Sequence, residues 1–242
     1  MEWRDEGLLI TMRRHGEAAA IIEVFTAAHG RHAGVVPGGA SRKQAAHLQP
    51  GTQVSVAWRA RLDQHMGSFA VEPLRSRAGL MADPLGLAGL NAICAMTHAF
   101  LPERVAQPRL YLETLALLDR IEDAGDWAAD YLRWEMLLLE DLGFALDLAR
   151  CAVTGSREDL AYVSPRTGRA VSRGAAGDWA PRLLALPPFL LGQGRALRDE
   201  IAPGFALTGH FLTRVLAELR ANPALPEARA RLLDLLHRHA PS

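Results

Sequence analysis

The sequence predicts an α+β multi-domain protein, with a small N-terminal β-barrel followed by a mostly α-helical domain that an irregular insert interrupts. Three observations predict it. Thr52 to Leu62 alternates in period two, with Val54, Val56, Trp58, Ala60 and Leu62 on one face and Gln53, Ser55, Arg59 and Arg61 on the other. That is the pattern of a half-buried strand. After Pro84 the apolar residues recur at helical spacing, and between 150 and 180 periodicity gives way to Gly, Ser, Arg and Pro.

The strands follow in order. Leu8 to Met12 ends at the turn Arg13-Arg14-His15-Gly16, Ala20 to Phe25 is closed by His29-Gly30, and Ala33 to Pro37 is closed by Gly38-Gly39. The turn from Asp63 to Gly67 then joins the long strand to Ser68–Glu72, a hairpin partner. Five short strands with glycine-rich turns suit a small closed barrel, and the OB-fold is the candidate of that size.

The helices are equally legible. The 19 residues from Pro84 to Pro102 carry no charge but include Gly86, Gly89, Asn91, Thr97 and His98, which suits a buried helix and not a bilayer span. Pro108 opens a helix through Leu110, Tyr111, Leu112, Leu115, Leu118 and Ile121. Asp126 is the expected N-cap of the next, through Tyr131, Trp134, Leu138 and Leu142, which Gly143 ends. The chain reads as helical again from Pro181, broken at Pro187-Pro188. Phe205, Phe211, Leu212, Val215, Leu216 and Leu219 form one stripe, and a final helix starts at Pro226 with Leu232, Leu233, Leu235 and Leu236. The expected segments are therefore 1–80, 81–149, 150–180 and 181–242.

Composition excludes several classes. Hydrophobic residues make up 49% and charged residues 22%, and 27 basic side chains balance 27 acidic ones. This fits a globular chain, not a disordered or uniformly basic one. Two cysteines, Cys94 and Cys151, exclude a disulfide scaffold and a zinc site built mainly on thiolates. Acidic residues precede the first apolar run, so no signal peptide is expected. The charge is unevenly distributed: residues 1–82 hold 10 basic and 7 acidic residues, 83–149 hold 4 and 12, 150–182 hold 6 and 3, and 183–242 hold 7 and 5. A basic head on a neutral chain points to a polyanion at that end.

No catalytic pattern emerges. Gly34 to Gly39 has the glycine spacing of a phosphate loop, but Ala40 stands where the lysine belongs. Gly-x-Ser-x-Gly and His-Glu-x-x-His are absent from the sequence. Glu135, Glu140 and Asp141 read as a solvated acidic face, His29 and His32 as a loop detail despite metal-like spacing, and His237 and His239 as helix-end cations.

The basic residues of the head do form a pattern. Arg13 and Arg14 lie in the first turn, Arg31 follows His29-Gly30, Arg42 and Lys43 follow Gly38-Gly39, and Arg59 and Arg61 share the polar strand face. Arg75 and Arg77 follow the barrel. Arginines on a strand face and beside glycine turns suit a groove that tracks phosphates. Trp3, Phe25, Trp58 and Phe69 are the candidate stacking platforms, with Trp58 and Phe69 expected to serve the core.

The order of these parts, with the segments MEWRDEGLLITMRRHGE (1–17), EVFTAAHGRHAGVVPGGASRK (23–43), LQPGTQVSVAWRARLDQHMGSFAVEP (48–73), LLLEDLGFALDLARC (137–151) and LAYVSPRTGRAVSR (160–173), resembles the bacterial recombination mediator family RecO. The resemblance implies an N-terminal OB-fold, a helical domain and a zinc-finger-like insert. It also implies a non-enzymatic DNA repair and recombination mediator, cytoplasmic and nucleoid-associated. Such a protein binds single- and double-stranded DNA, anneals strands, and with RecR helps load recombinase on DNA coated by single-strand-binding protein. The helices around Leu110–Leu142 would receive that protein's acidic tail, with Arg109, Arg120 or Arg133 as counter-charge.

One departure matters. Some family members hold zinc with two Cys-x-x-Cys pairs in the insert. Here Cys151 stands alone, with Thr154 three residues on and the second pair falling near Val171 and Gly174. One thiolate cannot hold structural zinc, so neither metal nor cofactor is expected. The rival class is a protein-interaction scaffold whose OB-fold does not itself bind nucleic acid.

Overall fold

The computed structural model describes residues 1–62, 64–219 and 224–238. Asp63 and His239, both read from the sequence, lie outside the described residues. The chain divides into two compact units, Met1–Gly125 with Pro226–Ser242, and Asp126–Leu225.

In the first unit β1 (Glu2–His15), β2 (Ala19–Thr26), β3 (Gly30–Val36), β4 (Gln53–Arg59) and β5 (Ser68–Arg75) close a barrel in the order β1-β2-β3-β5-β4. β1 serves two neighbours. Its N-terminal half pairs with β4, from Glu2↔Arg59 to Leu8↔Gln53, and the stretch from Gly7 to His15 pairs with β2 across an irregularity between Leu9 and Thr11. The strand is therefore much longer than the expected Leu8–Met12. Its first residues alternate acid with Trp3 and Arg4, so no apolar run announces them.

The alternation of each strand fills the barrel with Leu9, Ile22, Val24, Val54, Val56, Trp58 and Phe69. Burying such a large side chain is worth about 1.5–3 kcal/mol. Gly34 makes room for one of them, since a Cβ there would lie 2.4 Å from the Phe69 ring. The expected apolar face runs out at Leu62, which is 49% exposed.

Beyond β3 a single turn, α1 (Arg42–Ala45), is capped by Ser41, whose side chain accepts from the Gln44 amide. α2 (Pro84–Phe100) starts where Asp83 accepts from the amides of Leu85 and Gly86, both at 3.0 Å. α3 (Pro108–Glu122) also opens on proline. Arg77, whose side chain is 1% exposed, bonds Asp119 and Glu122 near the end of α3, and Arg75 bonds the same two acids.

In the second unit α4 (Ala128–Asp141) begins at Trp127, with no side-chain cap bond. The expected Asp126 cap is one residue too early. The insert folds into β6 (Leu160–Val163), β7 (Ala170–Ser172), the turn α5 (Arg173–Ala176) and β8 (Leu184–Ala185), a three-stranded sheet in the order β7-β6-β8. Strands of two to four residues are too short to show a period.

α6 (Arg198–Leu219) starts well after the expected Pro181. Residues 177–191 instead form two 3-10 turns around β8, because Pro181, Pro187 and Pro188 deny an α-helix its amide donors. Leu219, expected on its buried stripe, is 52% exposed. α6 packs on α4, with Gly204 so close that a Cβ would come within 2.8 Å of Leu132. Glu135 is fully buried there and accepts from the Thr208 hydroxyl. This corrects the solvated face that its sequence neighbours Glu140 and Asp141 suggest.

α7 (Glu227–Arg238) returns to the first unit and packs on α2 through Leu232. No helix among the described residues is long and apolar enough to cross a membrane.

Candidate nucleic-acid interface

Strand register links most of the predicted cations in one cationic rim that winds round the barrel from the far end of β1 back to its start. Arg13 and Arg14 stand opposite Ile21 and Ala20 at the end of the β1–β2 hairpin, and Ala20 stands opposite Val36. Val35 meets Ser68 where β3 touches β5. Ser68 is opposite Arg59, which is opposite Glu2. The Ala40 amide donates to the Ala18 carbonyl at 3.0 Å, tying the hairpin tip to the loop that leads into Arg42 and Lys43. Arg13, Arg14, Arg42, Lys43, Arg59 and Arg61 are all exposed. Among the described residues only Arg59 of these six makes an ion pair, to Glu2 at 3.1 Å. Both partners of that pair are largely solvated, so it is worth little and opens readily.

Beside this rim lies a cleft of about 530 Å³ over the outer surface of β1, β4 and β5. Arg4, Gln44, Arg59 and Ser68 supply its polar groups, and Ala57, Ala70 and Val71 line it with apolar surface. Arg4 and Gln44 were missed by sequence reading. Period-two placement of Arg4 beside Trp3 was the available signal, once Glu2–Glu6 is taken as strand.

Arg31 lies apart from the other six. It sits at the β2–β3 turn, opposite Phe25, and its side chain is only 11% exposed. Its guanidinium donates to Glu23 at 2.8 Å and to the Leu101 carbonyl at 2.9 Å. His98 also reaches Glu23, at 2.8 Å. Burial raises the Glu23 carboxyl, but the bonds with His98 and Arg31 outweigh it and hold it below its ordinary value.

Of the aromatic candidates, Phe25, Trp58 and Phe69 are buried and Trp3 is half-buried. Trp3 stacks on His29 with centroids 3.9 Å apart, and His29 bonds Asp5 at 3.1 Å. His32 is buried with its ring edge-on to Trp58. Both histidines also meet Trp3, His29 stacked on it and His32 edge-on at 5.1 Å between centroids.

The helix arginines divide between the units. Arg109 and Arg120 are exposed on α3, whereas Arg133 on α4 bonds Asp130 at 2.9 Å and lies 5.4 Å from the Phe189 ring centroid. The leucines divide likewise. Leu110, Leu117 and Leu118 are buried in the first unit and Leu132, Leu137, Leu138 and Leu139 in the second, while Leu112 is 62% exposed.

In the insert, Cys151 is buried and its Sγ accepts from the Ser172 amide, the Ser172 hydroxyl and the Val153 amide at 3.3, 3.4 and 3.4 Å. Burial raises this thiol, yet hydrogen bonds from Ser172 and Thr154 pull it down to about 6. Cys94 has the opposite fate: burial pushes it up to about 12 against weaker lowering by a Gly51 bond and Arg77. Cys151 packs with Val171 and Ala176 in a small apolar cluster. A valine side chain beside a lone thiol is no zinc donor set. Among the described residues no group of three or more His, Cys, Asp or Glu could hold a metal.

Known proteins resemble this chain over nearly its whole length. Residues 1–77 match the family described as Recombination protein O N terminal, and residues 81–237 match Recombination protein O C terminal. A Cereibacter sphaeroides protein named DNA repair protein RecO is 67% identical over 238 residues, covering 98% of this chain and 99% of its own length. Proteins of the same name from Ruegeria sp. and Dinoroseobacter shibae are 56% and 52% identical over 239 residues, each covering 98% of this chain and 99% of its own.

Proposed function

The chain belongs to the recombination protein O family, and from that premise we propose that it is a DNA repair and recombination mediator that holds DNA on the cationic rim of its barrel. The observation that carries the reading is the run of strand pairings from Arg14 to Ala20, Ala20 to Val36, Val36's neighbour Val35 to Ser68, and Ser68 to Arg59, with Arg42 and Lys43 in the adjoining turn. Five of the rim's six cations have no acid partner among the described residues. Cations of this kind neutralise phosphates and release counterions without reading base identity. Arg31 enters the reading as a strut between barrel and α2, because Glu23 and the Leu101 carbonyl already take its donors.

The finer parts extend the same reading. The closed five-stranded barrel in the order β1-β2-β3-β5-β4 supports an OB-fold covering 1–80. The segments 81–149 and 181–242 supply the helical domain, and 150–180 is a zinc-finger-like insert that has replaced its metal by an apolar cluster around Cys151. The protein binds single- and double-stranded DNA, anneals strands, and with RecR helps load recombinase onto DNA coated by single-strand-binding protein. It acts without chemistry of its own, in the cytoplasm and at the nucleoid. One of Arg109, Arg120 or Arg133 supplies the counter-charge for a partner's acidic tail.

Titrating a fluorescent single-stranded oligonucleotide at several salt concentrations tests this. Binding that weakens steeply with salt supports the reading. Absence of binding at low salt would leave the rival, a scaffold whose barrel touches no nucleic acid.

A further inference from the structure

We infer that the insert carries a second contact for single-stranded nucleic acid, a stacking platform made of Trp179 and Arg182. Of the five tryptophans, Trp58, Trp127 and Trp134 are buried and Trp3 is half-buried, whereas Trp179 is 63% exposed. The exposure is built in by its surroundings. Trp179 lies on the 3-10 turn Gly177–Arg182, between Ala176 and Ala180, which pack into the apolar cluster of the insert. The two alanines anchor the backbone while the indole is turned out.

In a 3-10 turn side chains three apart eclipse, which sets the Arg182 guanidinium over the ring, 5.2 Å from its centroid. A planar ring braced by a guanidinium offers a surface for a base and a cation for the adjoining phosphate.

Charge names the occupant. All six arginines of residues 150–182 are exposed, against three acids. Arg169 and Arg173 are paired, with Asp147 at 3.3 Å and Asp159 at 3.4 Å. Arg150, Arg157, Arg166 and Arg182 make no ion pair among the described residues. Cations spread over a surface suit a chain with one charge per residue better than a compact acidic peptide. Stacking on an indole requires an unstacked base, which selects single strands over duplex. The inference rests on the proposed DNA-binding reading but concerns a surface in a different unit from the barrel rim.

The test uses the full chain and a labelled oligodeoxythymidine, with W179A, W179F, R182A and the barrel double variant R42A/K43A. W179A should bind about tenfold more weakly, within the factor of roughly 5 to 150 that stacking one base supplies. Its salt slope should match wild type, because no charge is removed. W179F should recover most of the loss, and R182A should lower the slope by about 0.7. Circular dichroism checks that each variant is folded.

If W179A binds like wild type while R42A/K43A is weakened, the platform is overturned and the barrel reading stands. If wild type does not bind, both fall. If W179A keeps the oligonucleotide but loses an acidic aromatic peptide, the surface is a peptide site and the inference is overturned.

Discussion

Ser172 donates both its amide and its hydroxyl to the Cys151 sulfur, at 3.3 and 3.4 Å. The Ser172→Ala variant should therefore raise the Cys151 thiol from about 6 toward its ordinary value of 9.0. Because the folded value is lowered, the stabilisation is complete above pH 9.0 and is lost as pH falls through about 6. The stability gap between wild type and S172A should therefore widen as pH rises from about 6 to 9.0 and close below it, read by thiolate absorbance and urea unfolding against pH.

The insert should need no zinc. Elemental analysis of protein purified without chelator is expected to find none in stoichiometric amount, and added chelator should leave the melting temperature unchanged. One zinc per chain would contradict the proposal that the insert is held by the apolar cluster around Cys151, Val171 and Ala176 without metal.

Arg77 and Arg75 bind the same two acids but should differ sharply on removal. Arg77 is 1% exposed at its side chain and Arg75 48%. Arg77→Ala should cost about 2–3 kcal/mol, below the roughly 3–5 of a fully buried pair because Asp119 is half solvated. Arg75→Ala should cost about 0–1 kcal/mol. Urea denaturation of the two variants makes the comparison.

Acid should loosen the contact between the barrel and α2. The Glu23 carboxyl is held below its ordinary value of 4.5. Its contribution is thus complete above 4.5 and is lost as pH falls through the lowered value. Glu23→Gln should flatten the acid limb of the melting-temperature profile relative to wild type.

The elements visible in the sequence were those whose burial is one-sided and local. β4 showed its period because Val54, Val56 and Trp58 face one core while Arg59 faces water. α2 and α3 were marked by Pro84 and Pro108 at their first residues. What stayed hidden depends on distant partners. The first half of β1 becomes a strand through pairing with β4, some fifty residues on. Arg31 and Arg77 look like their exposed neighbours until Glu23 and Glu122 are brought against them. Trp179 could not be told from a core tryptophan, because its exposure follows from a 3-10 turn that proline imposes.

Neutralisation of phosphates by the barrel rim is read most directly from the salt dependence of single-stranded DNA binding for R42A/K43A beside wild type. Removing one cation from a phosphate of a single strand changes the slope of log affinity against log salt by about 0.7. The double variant should bind more weakly at every salt concentration, with a slope shallower by about 1.4 and no dependence on base sequence. An unchanged affinity and slope in a folded variant would contradict it.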